Sequence, residues 1–230
     1  MTPQSEPTET LLLDAALSHV PFDGWSDATF RAAIAESGVD PVVARALYPR
    51  GALDLAIAMH KRGDDAMADR LAATDMGDMK FRDRVTLAVR LRLELAGDRE
   101  AVRRATTLFA LPLHAADGAR LIWGTADRIW TSLGDTSDDV NWYTKRATLA
   151  GVYSATVLYW LGDDSVGHGA TWEFLDRRIA DVMQIEKIKA RMRGNPFLSR
   201  VFAAPARVLD RVKAPKAAPG DLPGHRSDDL

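Results

Sequence analysis

From Ala147 to Gly162 the chain runs sixteen residues without a charge. Leu149, Val152, Tyr153, Val157, Leu158, Tyr159, Trp160 and Leu161 leave no polar face, so a helix over this stretch must be surrounded by other elements. It is shorter than the ~20 apolar residues of a bilayer span and includes Thr148, Ser154 and Thr156, so it reads as the centre of a folded domain and not as a transmembrane segment. The 230 residues suit one large domain, or one domain with an appendage. There are two ways to surround such a helix. Either it sits in a filled core, or part of its wall lines a cavity for an apolar ligand. Periodicity leaves both open. In the second case the candidate lipid-contacting residues are Leu149, Val152, Tyr153, Thr156, Val157 and Trp160.

The rest of the chain reads as all-α. No segment alternates with a period of two, and helix punctuation recurs throughout. A first helix is predicted over about 8–18. Ser26 caps a second, which Gly38 stops. Asp40 before Pro41 opens a short third, since a capping acid ahead of a first-turn proline is a favoured start. A fourth helix reaches about Thr74, Asp78 and Asp98 are read as caps of the fifth and sixth, and the seventh spans about 114–133. Asp138 or Asp139 caps the eighth, which ends at Leu161, and the ninth covers about 169–192. A tenth candidate follows Pro196, and a tail from Ala214 rich in Pro, Gly and Asp is expected to be disordered. The domain reading is 8–194 for the helical body, with 8–50 as its head, then 195–213 and 214–230.

Catalytic patterns are missing. The chain has no cysteine, which excludes disulfides, thiol nucleophiles and thiolate metal sites. His19, His60, His114, His168 and His225 are scattered, and none follows an acid at the spacing of a di-iron or zinc helix. The acids Asp135, Asp138, Asp139, Asp163 and Asp164 sit in loops ahead of helices, where capping explains them. Gly162-Asp163-Asp164-Ser165 lacks a nucleophile elbow, and Gly167 and Gly169 lack the third glycine of a dinucleotide site. The chain reads as non-enzymatic, with no cofactor expected beyond a bound lipid.

Charge is unevenly spread. Residues 1–44 hold seven acids and one base, Arg31, while residues 187–216 hold nine bases and one acid, Asp210. The acidic start is neither a secretory nor a transit signal, so a bacterial cytoplasmic location is expected. In the basic end, Phe197, Leu198, Val201, Phe202, Val208 and Leu209 recur on one helical face, flanked by Arg200, Arg207 and Arg211. Such a helix lies at an anionic bilayer interface, each cation there worth about 1 kcal/mol. The alternative is a terminal helix packed on its own domain with solvated cations.

Two resemblances add to this reading. Ala35-Glu36-Ser37-Gly38-Val39-Asp40 with Tyr48 is similar to the helix-turn-helix head of TetR repressors. The would-be recognition helix, however, offers Arg45 alone, where DNA binding draws its affinity from Lys and Arg on phosphates. No nucleic acid is expected. The eighth helix opens on Asp139, Trp142, Tyr143 and Arg146, whose composition fits a protein-interface hot spot, although a Trp folded onto the core fits as well.

Asp139-Val140-Asn141-Trp142-Tyr143-Thr144-Lys145-Arg146, then Leu149, Tyr153 and Thr156, Asp164-Ser165, and Thr171-Trp172-Glu173-Phe174-Leu175 resemble the Coq-nine family, accessory proteins of ubiquinone biosynthesis. Gly134-Asp135-Thr136-Ser137-Asp138 and Ala110-Leu111-Pro112 fit it too. The resemblance implies a TetR-like helical fold without DNA binding, a pocket for quinone or isoprenoid lipid, and a homodimer. It also implies a partner patch including Trp142 and Tyr143 that engages the di-iron demethoxyubiquinone hydroxylase, and a peripheral position on the inner face of the bacterial inner membrane. The competing reading is a ligand-sensing TetR-type transcription regulator.

Overall fold

The computed structural model describes residues 7–193 and 213–214, with residues 185–193 described by their backbone alone. The expected membrane-facing residues, Phe197, Leu198, Arg200, Val201, Phe202, Arg207, Val208, Leu209 and Arg211, lie outside the described residues. The described residues form nine α-helices and one 3-10 turn, with no strand. They are α1 (Thr8–Asp23), α2 (Asp27–Ser37), α3 (Pro41–Leu47), α4 (Ala52–Ala72), α5 (Phe81–Glu94), α6 (Arg99–Ala110), α7 (Ala115–Ser132), α8 (Val140–Leu161), the turn Val166–His168, and α9 (Gly169–Arg193).

Local chemistry sets most boundaries. The Ser26 hydroxyl accepts from the Thr29 amide, Asp40 accepts from the Val42 amide at 2.7 Å, and Asp98 and Asp139 accept from Ala101 and Asn141, each at 2.9 Å. Gly38 ends α2 in the left-handed conformation (φ 68°). Two boundaries differ from expectation. α1 does not stop at Ser18 but continues through Pro21 to Asp23. The amide that Pro21 lacks falls in the last turn, and the helix end is held from outside: Val20 is buried, and the indole of Trp25 just beyond donates to the Ala101 carbonyl at 3.1 Å. Nor does Asp78 cap α5, which starts at Phe81 without a side-chain cap. Arg84 instead reaches back to the carbonyls of Met79 and Gly77 and fastens the preceding turn.

Two apolar clusters share their scaffold. The head cluster packs Leu12, Ala16, Phe30 and Tyr48 against Leu55 of α4 and Ala101 of α6. The body cluster packs Met67, Val89, Ile129, Leu149, Tyr153 and Leu175. α4 contributes to both, so head and body are one continuous structure. α8 is not enclosed all round: Ala147, Thr148, Gly151 and Leu158 form an exposed stripe. Three of these side chains are small, which is why the exposure carries little apolar penalty until Leu158.

Candidate functional site

Behind α8, facing α4–α7, lies an apolar cavity of about 270 Å3. Small side chains make the room, among them Ala96, Ala105, Ala115 and Ala119. Gly118 is required by packing, because a β-carbon there would come within 2.8 Å of Phe109. Of the residues expected to contact lipid, Tyr153 and Val157 line this cavity. Leu149 and Val152 instead face a second cavity of about 280 Å3 between α5, α7, α8 and α9, walled by Val85, Trp130 and Ile179. Thr156 and Trp160 line neither. The Thr156 hydroxyl donates to the Val152 carbonyl at 2.7 Å, and Trp160 is buried with the Arg99 guanidinium 6.0 Å from its ring. All six share one side of the helix, Leu149 and Tyr153 being only one turn apart, so the split is decided by which neighbouring helices pack at each level and not by the helical period.

The first cavity has a polar floor that sequence reasoning missed. Arg92, 3% exposed, donates from Nε to Asp64 at 2.6 Å and from Nη2 to the His60 carbonyl at 2.9 Å. The Thr125 hydroxyl donates to Asp64 at 2.9 Å, which leaves its oxygen to accept from His60 Nε2 at 2.8 Å. Burial, reinforced by the Arg92 charge, pushes His60 down to about 3, so the imidazole is neutral. Burial raises the Asp64 carboxyl despite the Arg92 charge beside it. Gly63 makes this geometry possible, since a β-carbon there would stand 2.7 Å from the Arg92 guanidinium. The polar groups satisfy one another, and the walls they leave to a ligand are mostly aliphatic.

At the start of α8 the expected partner residues divide. Asp139 serves as the helix cap, its second oxygen accepting from the Asn141 side chain at 2.8 Å. Trp142 and Tyr143 are half-buried and meet edge to face at 4.8 Å. Trp123 of α7 completes an aromatic cluster, 5.9 Å from Trp142 and 6.4 Å from Tyr143. Arg146 is not a surface residue: it is 2% exposed, 4.0 Å from the Trp142 ring, and bonded to Asp127 at 2.5 Å and Asp135 at 3.0 Å. Asp135, read as a cap, is an ion-pair acceptor that also takes Lys145 at 2.7 Å. Burial alone would raise its carboxyl, but hydrogen bonds from Lys145, Ser137 and Arg146 outweigh that and hold it at about 2. The Tyr143 hydroxyl donates to the Lys213 carbonyl at 3.2 Å. The missed residues Trp123 and Asp127 carried one signal, their spacing of four on a single helix.

Among the described residues no group of three His, Cys, Asp or Glu could hold a metal, and no helix is long and apolar enough to cross a membrane.

Residues 115–186 match the COQ9 family. The chain is 34% identical over 188 residues to the mitochondrial ubiquinone biosynthesis protein COQ9 of Drosophila melanogaster, covering 80% of this chain and 57% of that protein. It is 28% identical over 184 residues to COQ9 of Homo sapiens, covering 76% and 57%. The matched region thus spans under two thirds of the length of either relative. Among solved structures, a TetR transcriptional regulator from Nitrosomonas europaea superposes with a TM-score of 0.63 at 20% identity, over 76% of this chain and 97% of that one. That likeness establishes a TetR-like fold. The chain is therefore similar to the COQ9 proteins over more than three quarters of its length, and residues 115–186 carry the match to the COQ9 family.

Proposed function

We propose that this protein acts in ubiquinone biosynthesis as a non-enzymatic accessory protein. It takes up quinone or isoprenoid lipid and presents it to the di-iron demethoxyubiquinone hydroxylase, docked on Trp123, Trp142 and Tyr143. The observation that carries this reading is a shared helix. Ala119 of α7 is an exposed residue lining the first cavity, and Trp123, one turn further along the same face, belongs to the aromatic cluster. A ligand leaving the cavity there emerges beside the docking surface. At about 270 Å3 the cavity lies just below the ~300–1,000 Å3 usual for small-molecule pockets, which suits a segment of chain and not a whole polyprenyl quinone.

The homodimer and the position on the inner membrane face belong to the same reading through the family resemblance. Against a transcription regulator stands the surface of α3, which exposes Val42 (76%) and Val43 with Arg45 as its one cation. The test is mass spectrometry of lipids extracted from the purified protein, with a hydroxylase pull-down alongside. A co-purifying isoprenoid, with hydroxylase retained by the native protein and lost by Trp142→Ala, is expected. A lipid-free protein, or a Trp142→Ala variant that retains the hydroxylase in full, overturns the corresponding half of the proposal.

A further inference from the structure

The cavity has a mouth, and its rim is apolar. Ala110, Ala115, Ala119 and Leu158 both line the cavity and are exposed, which places the opening between the end of α6, the start of α7 and the outer face of α8. The turn joining Ala110 to Ala115 carries Leu111 and Leu113, 50% and 84% exposed around Pro112, and Leu158 on the opposite lip is 62% exposed. Leu158 lies on the rim itself, Leu111 and Leu113 lie in the turn between the rim residues Ala110 and Ala115, and Leu113 also borders a separate hollow with Arg50 and Asp117. Three exposed leucines so close together exceed the scattered apolar residues of an ordinary surface.

The turn has few free amides: Leu111 donates to the Leu108 carbonyl at 3.2 Å, His114 donates to the Leu111 carbonyl at 2.9 Å, and Pro112 has none, which leaves the Leu113 amide to the headgroup level. Several charges nearby are paired: Asp117 holds both Arg50 at 3.0 Å and Arg120 at 2.8 Å, and Arg50 also binds Asp54. Arg103 is bonded to Glu100 and to the Leu161 carbonyl. A ligand of hydrocarbon resists every methylene of a path through water, so a dry cavity fills fastest when its mouth opens inside the lipid.

We propose that this mouth is a bilayer entry portal: Leu111, Pro112 and Leu113, with Leu158 opposite, insert into the acyl boundary of a membrane, and lipid passes directly into the cavity. The contact is separate from the basic segment after residue 194, and it rests on the reading of the cavity as a lipid site. The chain has no cysteine, so Leu113→Cys carries a polarity-sensitive fluorophore at one position, with Asp69→Cys on the exposed side of α4 as control.

With phosphatidylcholine vesicles containing phosphatidylglycerol, the label at 113 shifts to the blue and brightens roughly fivefold, as burial at the acyl boundary requires, while the label at 69 stays in water. Leu111→Asp with Leu113→Asp slows uptake of a pyrene-labelled fatty acid from vesicles by about tenfold and leaves loading from detergent unchanged, because charge is expelled from the acyl region. A label at 113 that stays in water on vesicle-bound protein, native uptake by the double variant, or failure of native protein to bind vesicles overturns the portal. Loss of detergent loading in the double variant also overturns it, by assigning the turn to the cavity's own architecture. The cavity itself is tested separately by Ala119→Phe, which plugs the opening. Native detergent loading of that variant overturns the lipid-site reading, whatever the label reports.

Discussion

Arg92 and Arg146 are both buried, both bonded to aspartates, and both set against an aromatic ring, yet they face different ways, Arg92 toward the cavity and Arg146 toward the surface. Arg92 turns its donors inward, to Asp64 and the His60 carbonyl, with Tyr153 5.8 Å away, and the result is a closed floor under the cavity. Arg146 reaches from the core to the surface. Asp135 and Asp127 hold its nitrogens, and Trp142 lies across it at 4.0 Å beside Tyr143 and Trp123. Asp127 is much more exposed than Asp64 (44% against 12% of the side chain), so one end of the second network is in water. A guanidinium whose partners are all internal is structure. One whose ring partner is half-exposed positions a surface.

The sharpest break in this comparison is Asp64→Ala, which leaves Arg92 charged and buried. A loss of about 3–5 kcal/mol in urea unfolding is expected, and the double variant with Arg92→Met should recover most of it. Arg146→Ala is milder, about 1–3 kcal/mol, because Lys145 still neutralises Asp135 and water reaches Asp127. Its local effect is larger: Trp142 loses its cation, and the tryptophan fluorescence moves to the red. Arg146→Lys restores the charge but not the two-pronged geometry, so it should recover only part of either change. If Arg146→Ala matches Asp64→Ala in stability and leaves the fluorescence alone, the distinction between floor and surface support is wrong.

Acid separates the networks further. His60 is neutral when folded down to about pH 3 but protonates near 6.5 when unfolded. The unfolded state therefore binds the extra proton, and stability falls by about 1.4 kcal/mol per pH unit from roughly 6.5 toward 3. Asp135 behaves as a depressed carboxylate: its contribution is complete above about pH 4 and is lost as pH falls through about 2. Unfolding curves from pH 7 to 3 should therefore weaken steadily in the native protein and much less in His60→Gln. An unchanged slope in His60→Gln would place the acid sensitivity elsewhere.

These differences mark what the sequence could say. The caps Ser26, Asp40, Asp98 and Asp139 act within three residues of themselves, so their meaning is readable locally. The end of α1 is set by Trp25 meeting Ala101, seventy-six residues away, which no local rule reports. Asp135 has the look of a cap, and only the fold shows Lys145 and Arg146 turning back onto it. For α8 the apolar stretch announced a buried helix, while the choice between core and cavity rested on its neighbours. The alanines and Gly118 along α6 and α7 were the legible trace of that cavity, a row of side chains too small to fill the space they face. Trp123 could not be joined to Trp142 from spacing alone, since their contact depends on how α7 and α8 cross.

The smallest expected change in stability tests the surface half of the comparison most cleanly. Tyr143→Phe keeps the ring against Trp142 and Trp123 and removes one hydroxyl, whose hydrogen bond to the Lys213 carbonyl is solvent-exposed. A loss of no more than about 0.5–1 kcal/mol is expected, since water replaces the exposed partner. Affinity for the docked hydroxylase should change in the opposite proportion to stability across the set, least for variants of the Arg92 floor that still fold and most for Trp142→Ala. Tyr143→Phe falls between them if the hydroxyl is used by the partner and with the floor variants if only the ring is. Calorimetric titration of the hydroxylase against these variants separates the two. A floor variant that binds as weakly as Trp142→Ala would show that the cavity and the aromatic face are one site and not two sharing a helix.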